Sequence, residues 1–257
     1  MISKTLRVAL TIVLTSFALS SAAWATCSNA SLSGTYGHLY GGTAVTGTPT
    51  ASLGQITFDS TTGTFTSVTT ASHDGVITTD VSVPGTYAVA SNCTVTGAFG
   101  PNNISFVVTS TGFLYTNQWT NATTEGFGVK QGSPTCTNTG VEGSFGFETT
   151  GVFLAGAPAT GPVAFIAELQ LTVNPSGEGV ISGHLAGSVD GTILTFAEEP
   201  VTGSYTVDTD CRGRATIKPE GPFEMHFRLL VVDGGKKMLA IETDAYTVAS
   251  GTLVKGN

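Results

Sequence analysis

The sequence predicts an all-β protein built from two tandem antiparallel up-and-down β-barrels of about eight strands each, with one disulfide inside each copy. The first observation is an internal repeat, because Cys27 and the Gly-x-Tyr-Gly of Gly34–Gly37 recur as Cys136 and the Gly-x-Phe-Gly of Gly143–Gly146. The second is a succession of short alternating apolar and polar runs, rich in β-branched and aromatic residues and separated by Gly, Asp, Asn and Pro. The third is the division of the four cysteines into two per copy.

The repeat defines the domain organisation. The segment from Gly85 to Cys93 recurs as Gly203 to Cys211, and the spacing between matched positions widens steadily along the chain without reversal. Such a drift is expected of two copies of one fold that differ by loop insertions. We therefore predict a first barrel over residues 26–134 and a second over residues 135–257, joined by a linker short enough to place them side by side.

The N-terminal segment predicts export. Residues 1–25 carry Lys4 and Arg7, then an apolar stretch over residues 8–19, then small residues that end at Ala25. This is the pattern of a secretory signal peptide, and the apolar stretch is too short for a membrane span. We expect cleavage after Ala25, no membrane insertion after cleavage, and a secreted, extracellular or periplasmic location.

The cysteines predict two structural disulfides. In an exported chain, paired cysteines most simply form disulfides, but four cysteines allow three connectivities. The duplication selects one of them, because a unit that once folded alone would have closed its own bridge. We predict Cys27 with Cys93 and Cys136 with Cys211. No Cys-x-x-Cys pair or nearby histidine offers the spacing of a metal site, and we predict no metal and no cofactor.

The first copy contains eight runs that predict strands, and the second copy repeats this count. The runs of the first copy are residues 34–40, 52–59, 63–72, 76–83, 87–96, 104–110, 112–120 and 126–130. Turns such as Asp74-Gly75 and Asp190-Gly191 are short, and short turns between consecutive strands favour a meander that closes into a barrel. Two β-sandwiches are the alternative, although they need longer crossovers. An outer-membrane barrel needs longer strands than the run over residues 104–110.

The composition excludes one class of partner. Charged residues make up 11% of the chain and the formal net charge is -8. An acidic, charge-poor surface repels phosphate backbones, and the sequence has no basic stripe. We therefore expect no nucleic-acid binding.

Several motifs resemble a repeat found in uncharacterised secreted bacterial proteins. They are Gly-x-[Tyr/Phe]-Gly, Gly-[Thr/Ser]-Tyr-x-Val, the Phe-Arg-Leu-Leu-Val run of residues 227–231, the Ile-Glu-Thr-Asp run of residues 241–244, and the Ala-Ser-Gly-Thr-Leu-Val-Lys run of residues 249–255. The resemblance covers nearly the whole mature chain, and the first copy departs from it at residues 117–119. It implies a repeated β-fold and no particular activity. Similarity to calycin-type ligand-binding barrels is an analogy of fold.

Two groups of residues are candidates for function. In the second copy, Glu168, His184, His226 and Glu242 combine carboxylates with imidazoles, which together could serve as acid and base if they converge. No histidine recurs in the other copy, and no Gly-x-Ser-x-Gly elbow supplies a nucleophile.

In the first copy, Trp119, Tyr115 and Phe113 share one strand face and could line a ligand pocket. Aromatic residues that recur in both copies are predicted to fill the barrels.

Three functions remain open. A secreted, non-catalytic binding module would hold a small apolar or carbohydrate ligand in a barrel or between the barrels. A structural or adhesive surface protein would use the disulfide-linked units as rigid spacers. A hydrolase-type enzyme would use the second copy. The sequence does not select an oligomeric state.

Overall fold

The computed structural model describes residues 26–44, 46–119, 122–133, 135–194, 200–220 and 223–256. The predicted signal peptide, residues 1–25, lies outside this part of the chain.

The first eight strands form one closed barrel, here called barrel 1. They are β1 (Gly34–Ala44), β2 (Pro49–Asp59), β3 (Thr64–His73), β4 (Val76–Val89), β5 (Thr94–Phe99), β6 (Asn102–Val108), β7 (Gly112–Trp119) and β8 (Ala122–Lys130). Each strand pairs antiparallel with the next, and β8 closes the barrel against β1.

The remaining strands form barrel 2. They are β9 (Gly143–Phe153), β10 (Gly161–Val173), β11 (Gly179–Val189), β12 (Thr192–Leu194), β13 (Pro200–Val207), β14 (Arg212–Lys218), β15 (Met225–Val232), β16 (Lys237–Glu242) and β17 (Thr247–Lys255). The pairing of β10 with β11 closes this sheet, and the short β12 with β13 takes the place that β4 has in barrel 1. The predicted fold of two closed, eight-stranded antiparallel barrels is confirmed.

Two neighbouring strands were divided wrongly. The sequence interpretation ended the fourth strand at residue 83 and placed the fifth over residues 87–96, whereas β4 runs through Pro84 to Val89 and β5 begins at Thr94. The amide of Tyr87 donates to Gly63 on the β3 side, so the nitrogen of Pro84 points the other way, where pairing with β5 has not yet begun. The missing N–H of Pro84 therefore interrupts no ladder, as is usual for proline at a free strand edge.

The two disulfides follow the repeat. Cys27 bonds to Cys93 and Cys136 to Cys211, with sequence separations of 66 and 75 residues. The predicted connectivity is confirmed. Each bridge joins the start of a barrel to the turn that follows β4 or β13, and it is compatible with an extracellular or periplasmic protein. Among the described residues, no helix is long and apolar enough to cross a membrane.

A second feature of the repeat was not recognised in the sequence. The Asn29 side chain accepts the Val89 N–H at 2.9 Å, and the Tyr87 hydroxyl donates to the Asn29 carbonyl at 3.3 Å. Barrel 2 repeats this arrangement at Asn138, Val207 and Tyr205, at 2.8 and 2.9 Å. In each barrel, the asparagine therefore fixes the segment that follows the first cysteine to the end of the strand that precedes the second cysteine.

The barrels touch through apolar side chains on their outer surfaces. On β15 and β16, alternate residues face the interior of barrel 2, while the intervening Leu230, Val232, Leu239 and Ile241 are also apolar and pack against barrel 1. This contact buries Leu39, Ala51, Leu53, Leu230, Val232, Leu239, Ile241 and Val248. Burial of this apolar surface favours a fixed arrangement of the two barrels.

Polar contacts border the apolar one. The Ser72 hydroxyl donates to the Thr247 carbonyl at 2.6 Å and is fully buried. Asp80 of β4 accepts hydrogen bonds from Arg212 and Arg228 of barrel 2, both at 3.1 Å. Because Asp80 and Arg212 are substantially exposed, the burial of apolar surface contributes more to this contact than the ion pairs do.

Candidate functional site

One half of the barrel 1 interior is an aromatic cluster. Phe58 lies at its centre, with its ring centroid 4.9 Å from that of Tyr87 and 5.8 Å from that of Phe113. Phe106 and Phe113 are 5.1 Å apart. Most of these pairs are edge-to-face or tilted, which are the arrangements that aromatic rings favour.

The other half contains a hydrogen-bonded chain of four polar side chains. His38 Nδ1 lies 3.2 Å from the Tyr115 hydroxyl, and His38 Nε2 lies 3.2 Å from the Ser67 hydroxyl. The Ser67 hydroxyl in turn lies 3.0 Å from that of Thr69. The ring of Tyr40 stacks on His38 with 6.3 Å between centroids. His38 thus lies at the boundary between the aromatic and the polar half.

Burial keeps the groups of this chain uncharged at neutral pH. Desolvation lowers the pKa of His38 to about 4 and raises the pKa of Tyr115 well above 10. The imidazole is therefore neutral, with one nitrogen that donates and one that accepts. The site offers neutral hydrogen-bonding groups in an apolar surrounding.

A cavity lies between the two halves. It contains about 510 Å³ free of protein atoms, counted with its opening to solvent, of which about 60 Å³ admits the centre of a water-sized sphere. Its described lining carries no carboxylate, ammonium or guanidinium group and consists of His38, Tyr40, Ile56, Phe58, Phe65, Thr69, Phe99, Ile104, Phe106, Phe113 and Tyr115. A space of this size exceeds what a single water molecule requires.

Two glycines make room for the rings around this cavity. His38 is paired with Gly54 on β2 and with Gly128 on β8. A side chain at Gly54 would collide with the His38 imidazole, and one at Gly128 with the Phe113 ring. Both positions therefore require glycine because of close approach rather than turn geometry.

The same register in barrel 2 carries larger apolar residues. Phe147 occupies the place of His38 and is paired with Ala167 and Leu253, where barrel 1 has its two glycines. Phe147 and Leu253 are 3% and 4% exposed and belong to the apolar core of barrel 2. The two copies of the fold therefore differ at this layer, with polar groups and space in barrel 1 and apolar side chains in barrel 2.

The structure places two of the three predicted pocket residues in this cavity. Phe113 and Tyr115 line it, and Tyr115 is also the end of the hydrogen-bonded chain. The side chain of Trp119 lies outside the part of the chain that the structure describes.

The four acid–base candidates of the second copy are not brought together. Glu168 and His184 are paired across β10 and β11, and both are exposed. His226 is exposed on β15 and contacts Asp244 at 2.7 Å rather than Glu168, His184 or Glu242. The four residues therefore form no common site, although the pairing of Glu168 with His184 sets one carboxylate opposite one imidazole on the exposed surface of barrel 2.

Glu242 lies apart from the others, inside barrel 2. It pairs with Phe227, whose side chain is in the apolar core, and it is 1% exposed. Its Oε2 has no hydrogen-bond partner among the described residues. Burial, and secondarily repulsion from Asp244, raises the pKa of Glu242 to about 8. The group is an isolated buried acid, which is mostly protonated at neutral pH.

No group of three or more potential metal ligands lies close together within the described ranges.

His38, the central polar residue of the cavity, was missed as a candidate. Its signal was its alignment with Phe147, because an imidazole in one copy where the other has a core aromatic ring marks a position with a different environment.

No known protein-family model matches the chain, and no curated protein matches it. Among solved structures, it is similar to the crystal structure of a protein of unknown function from the DUF3598 family of Nostoc punctiforme. The two sequences are 13% identical, and the match covers 88% of this chain and 97% of that chain with a TM-score of 0.27. The chemical properties of the barrel 1 cavity are therefore inferred only from the side chains that line it.

Proposed function

We propose that the protein is an exported, non-catalytic binding module and that barrel 1 holds a small apolar ligand. The cavity beside His38 is the observation that carries this proposal, since barrel 2 has buried apolar side chains at the same layer. The predicted signal peptide and the two disulfides support export.

The cavity wall favours an apolar ligand over a carbohydrate. Ligand sites are typically concave and mainly apolar, with a few polar groups that set orientation. Seven of the lining residues are phenylalanine or isoleucine, and the polar groups are gathered at one side around His38. A pyranose carries hydroxyl groups around its ring, and this wall would leave most of them without partners.

Titration with ethylbenzene tests the proposal. We expect the amide and aromatic NMR signals of barrel 1 residues such as Phe58 and Phe106 to shift on addition of ethylbenzene to the mature protein. Replacing Ile104, which lines the cavity, by phenylalanine should weaken binding at least about tenfold, because the larger ring occupies the space of the ligand. Ile166→Phe is the matched control, since Ile166 is 65% exposed on β10 of barrel 2 and the same change there should leave binding unaltered.

Absence of saturable shifts in barrel 1 would contradict the proposal and favour the structural or adhesive alternative. Equal weakening by both substitutions would also contradict it, since the ligand would then not occupy the cavity. Saturable binding of a monosaccharide instead of ethylbenzene would show that the apolar wall does not select the ligand.

A further inference from the structure

We infer that the ligand of barrel 1 is a neutral aromatic molecule with one oxygen acceptor, of the aryl ketone or phenol class, whose oxygen accepts a hydrogen bond from the chain of Tyr115, His38, Ser67 and Thr69. This inference rests on the proposed binding function and adds the chemical class of the ligand. It follows from a count of the hydrogens in that chain.

Each member of the chain has one hydrogen to donate. Tyr115, Ser67 and Thr69 each have a hydroxyl hydrogen, and the neutral imidazole of His38 has one N–H. The contacts between them are three: Tyr115 with His38, His38 with Ser67, and Ser67 with Thr69. Since each contact uses one hydrogen, one donor of the chain stays without an acceptor within the chain.

The unused donor lies at one end or the other. If Tyr115 donates to His38 Nδ1, the chain runs towards Thr69 and the Thr69 hydroxyl keeps its hydrogen. If the His38 tautomer is reversed, the Tyr115 hydroxyl keeps it. Both Thr69 and Tyr115 line the cavity, so in either state the unused donor belongs to a residue of the cavity wall. Thr69 and Tyr115 are both only partly exposed, and a hydroxyl donor in this mainly apolar surrounding gains a hydrogen bond when the ligand offers an acceptor.

The charge of the site selects a neutral acceptor. The cavity is lined by uncharged residues in the part of the chain that the structure describes, and His38 is neutral. A carboxylate bound here would lose its hydration without meeting a cation. An ammonium group would likewise lose its hydration and meet no carboxylate.

The remaining wall selects an aromatic body. Phe58, Phe65, Phe106 and Phe113 present ring edges and faces opposite the polar chain. A flat ring can join such a cluster in the tilted and edge-to-face arrangements already present there.

The test compares acetophenone with ethylbenzene, which have similar shapes and differ in the carbonyl oxygen. The protein is the mature wild type and a variant with His38→Phe, Ser67→Ala, Thr69→Val and Tyr115→Phe, which removes the whole chain with replacements of similar shape, His38→Phe being the only one that adds appreciable volume. Because both partners of every hydrogen bond are replaced by apolar groups, the variant is expected to fold. Relative to ethylbenzene, acetophenone should bind the variant about tenfold more weakly than it binds the wild type. His184→Phe, an exposed change in barrel 2, is the control and should leave this ratio unchanged.

A second measurement needs only the wild type. The carbonyl stretching band of ¹³C-labelled acetophenone bound to the protein should lie below its position in hexane, because an accepted hydrogen bond weakens the C=O bond. A band at the hexane position, or a ratio of dissociation constants that the four substitutions leave unchanged, would overturn the inference while ethylbenzene binding kept the proposed function intact. Tighter binding of benzoate than of acetophenone would overturn the neutral class, and failure of both neutral compounds to bind would remove the proposed function itself.

Discussion

Glu242→Gln is expected to stabilise the protein at alkaline pH and to leave its stability nearly unchanged at acidic pH. The carboxyl group lies in the apolar interior of barrel 2, where its pKa is raised to about 8 from its ordinary value of 4.5. Glutamine has the same shape and no ionisable proton. Equilibrium unfolding in guanidinium chloride at pH 5 and at pH 9 measures the effect.

The sign follows from proton binding. Between about pH 4.5 and pH 8, the folded protein keeps the proton on Glu242 and the unfolded chain does not. Folding is therefore coupled to proton uptake, and stability falls as the pH rises through this window and levels off above it. At about 1.4 kcal/mol per pKa unit, the advantage of glutamine at pH 9 is roughly 3 to 5 kcal/mol.

Glu168→Gln is the matched control, because Glu168 is exposed on β10. Its effect on the free energy of unfolding should be small at both pH values. If the stabilities of wild type and Glu242→Gln ran parallel from pH 5 to pH 9, the isolated position of the Glu242 carboxyl group would be refuted.

Loss of the barrel 2 disulfide is expected to lower the free energy of unfolding by about 4 kcal/mol. The bridge closes a loop with a separation of 75 residues between Cys136 and Cys211, and the loss of such a restraint increases the entropy of the unfolded chain. The measurement is denaturant unfolding of a variant in which both cysteines are replaced by serine. By comparison, removal of the exposed Asp80 carboxylate should cost at most about 1 kcal/mol per ion pair.

The equivalent serine variant of Cys27 and Cys93 is the internal comparison, since its separation of 66 residues predicts nearly the same loss. Mass spectrometry of the unreduced wild type verifies both linkages. A loss below about 1 kcal/mol for either pair would show that its bridge does not restrain the unfolded chain as the duplicated fold requires.

The repeat explains why so much of the architecture could be predicted from the sequence. Matched cysteines at matched places imply that each copy closes its own bridge, and the short Asp74-Gly75 and Asp190-Gly191 turns imply neighbouring antiparallel strands. Asp74 and Gly75 adopt φ of 52° and 72°, and Asp190 and Gly191 of 49° and 75°, as tight hairpin turns demand. These features depend on local chemistry, which a sequence displays directly.

The contact between the barrels was harder to predict. On β15, the alternation of Phe227, Leu229 and Val231 marks the interior, but Leu230 and Val232 on the other face are apolar as well. Only a second barrel explains the burial of both faces. The sequence signal for the contact between the barrels was that β15 is apolar on both of its faces.

The candidate site could be predicted only in part. Phe113 and Tyr115 were found because they share a strand face, whereas His38, Ser67 and Thr69 come from other strands and meet only when the barrel closes. The sequence also grouped Glu242 with His226. Glu242 is paired with Phe227, the neighbour of His226, and because neighbouring residues of a strand face opposite sides, Glu242 lies inside barrel 2 and His226 outside it. Residues that meet only when the barrel closes are brought together by tertiary packing, which a short sequence motif does not reveal.

The central claim is that the two copies of one fold differ in their interiors, with a cavity in barrel 1 and a packed apolar core in barrel 2. X-ray diffraction from crystals of the mature protein under xenon pressure tests this claim most directly, because xenon enters apolar cavities. We expect an anomalous peak in barrel 1 next to Phe58, Phe65 and Phe106, and none in the interior of barrel 2. Xenon in barrel 2 with none in barrel 1 would contradict the account.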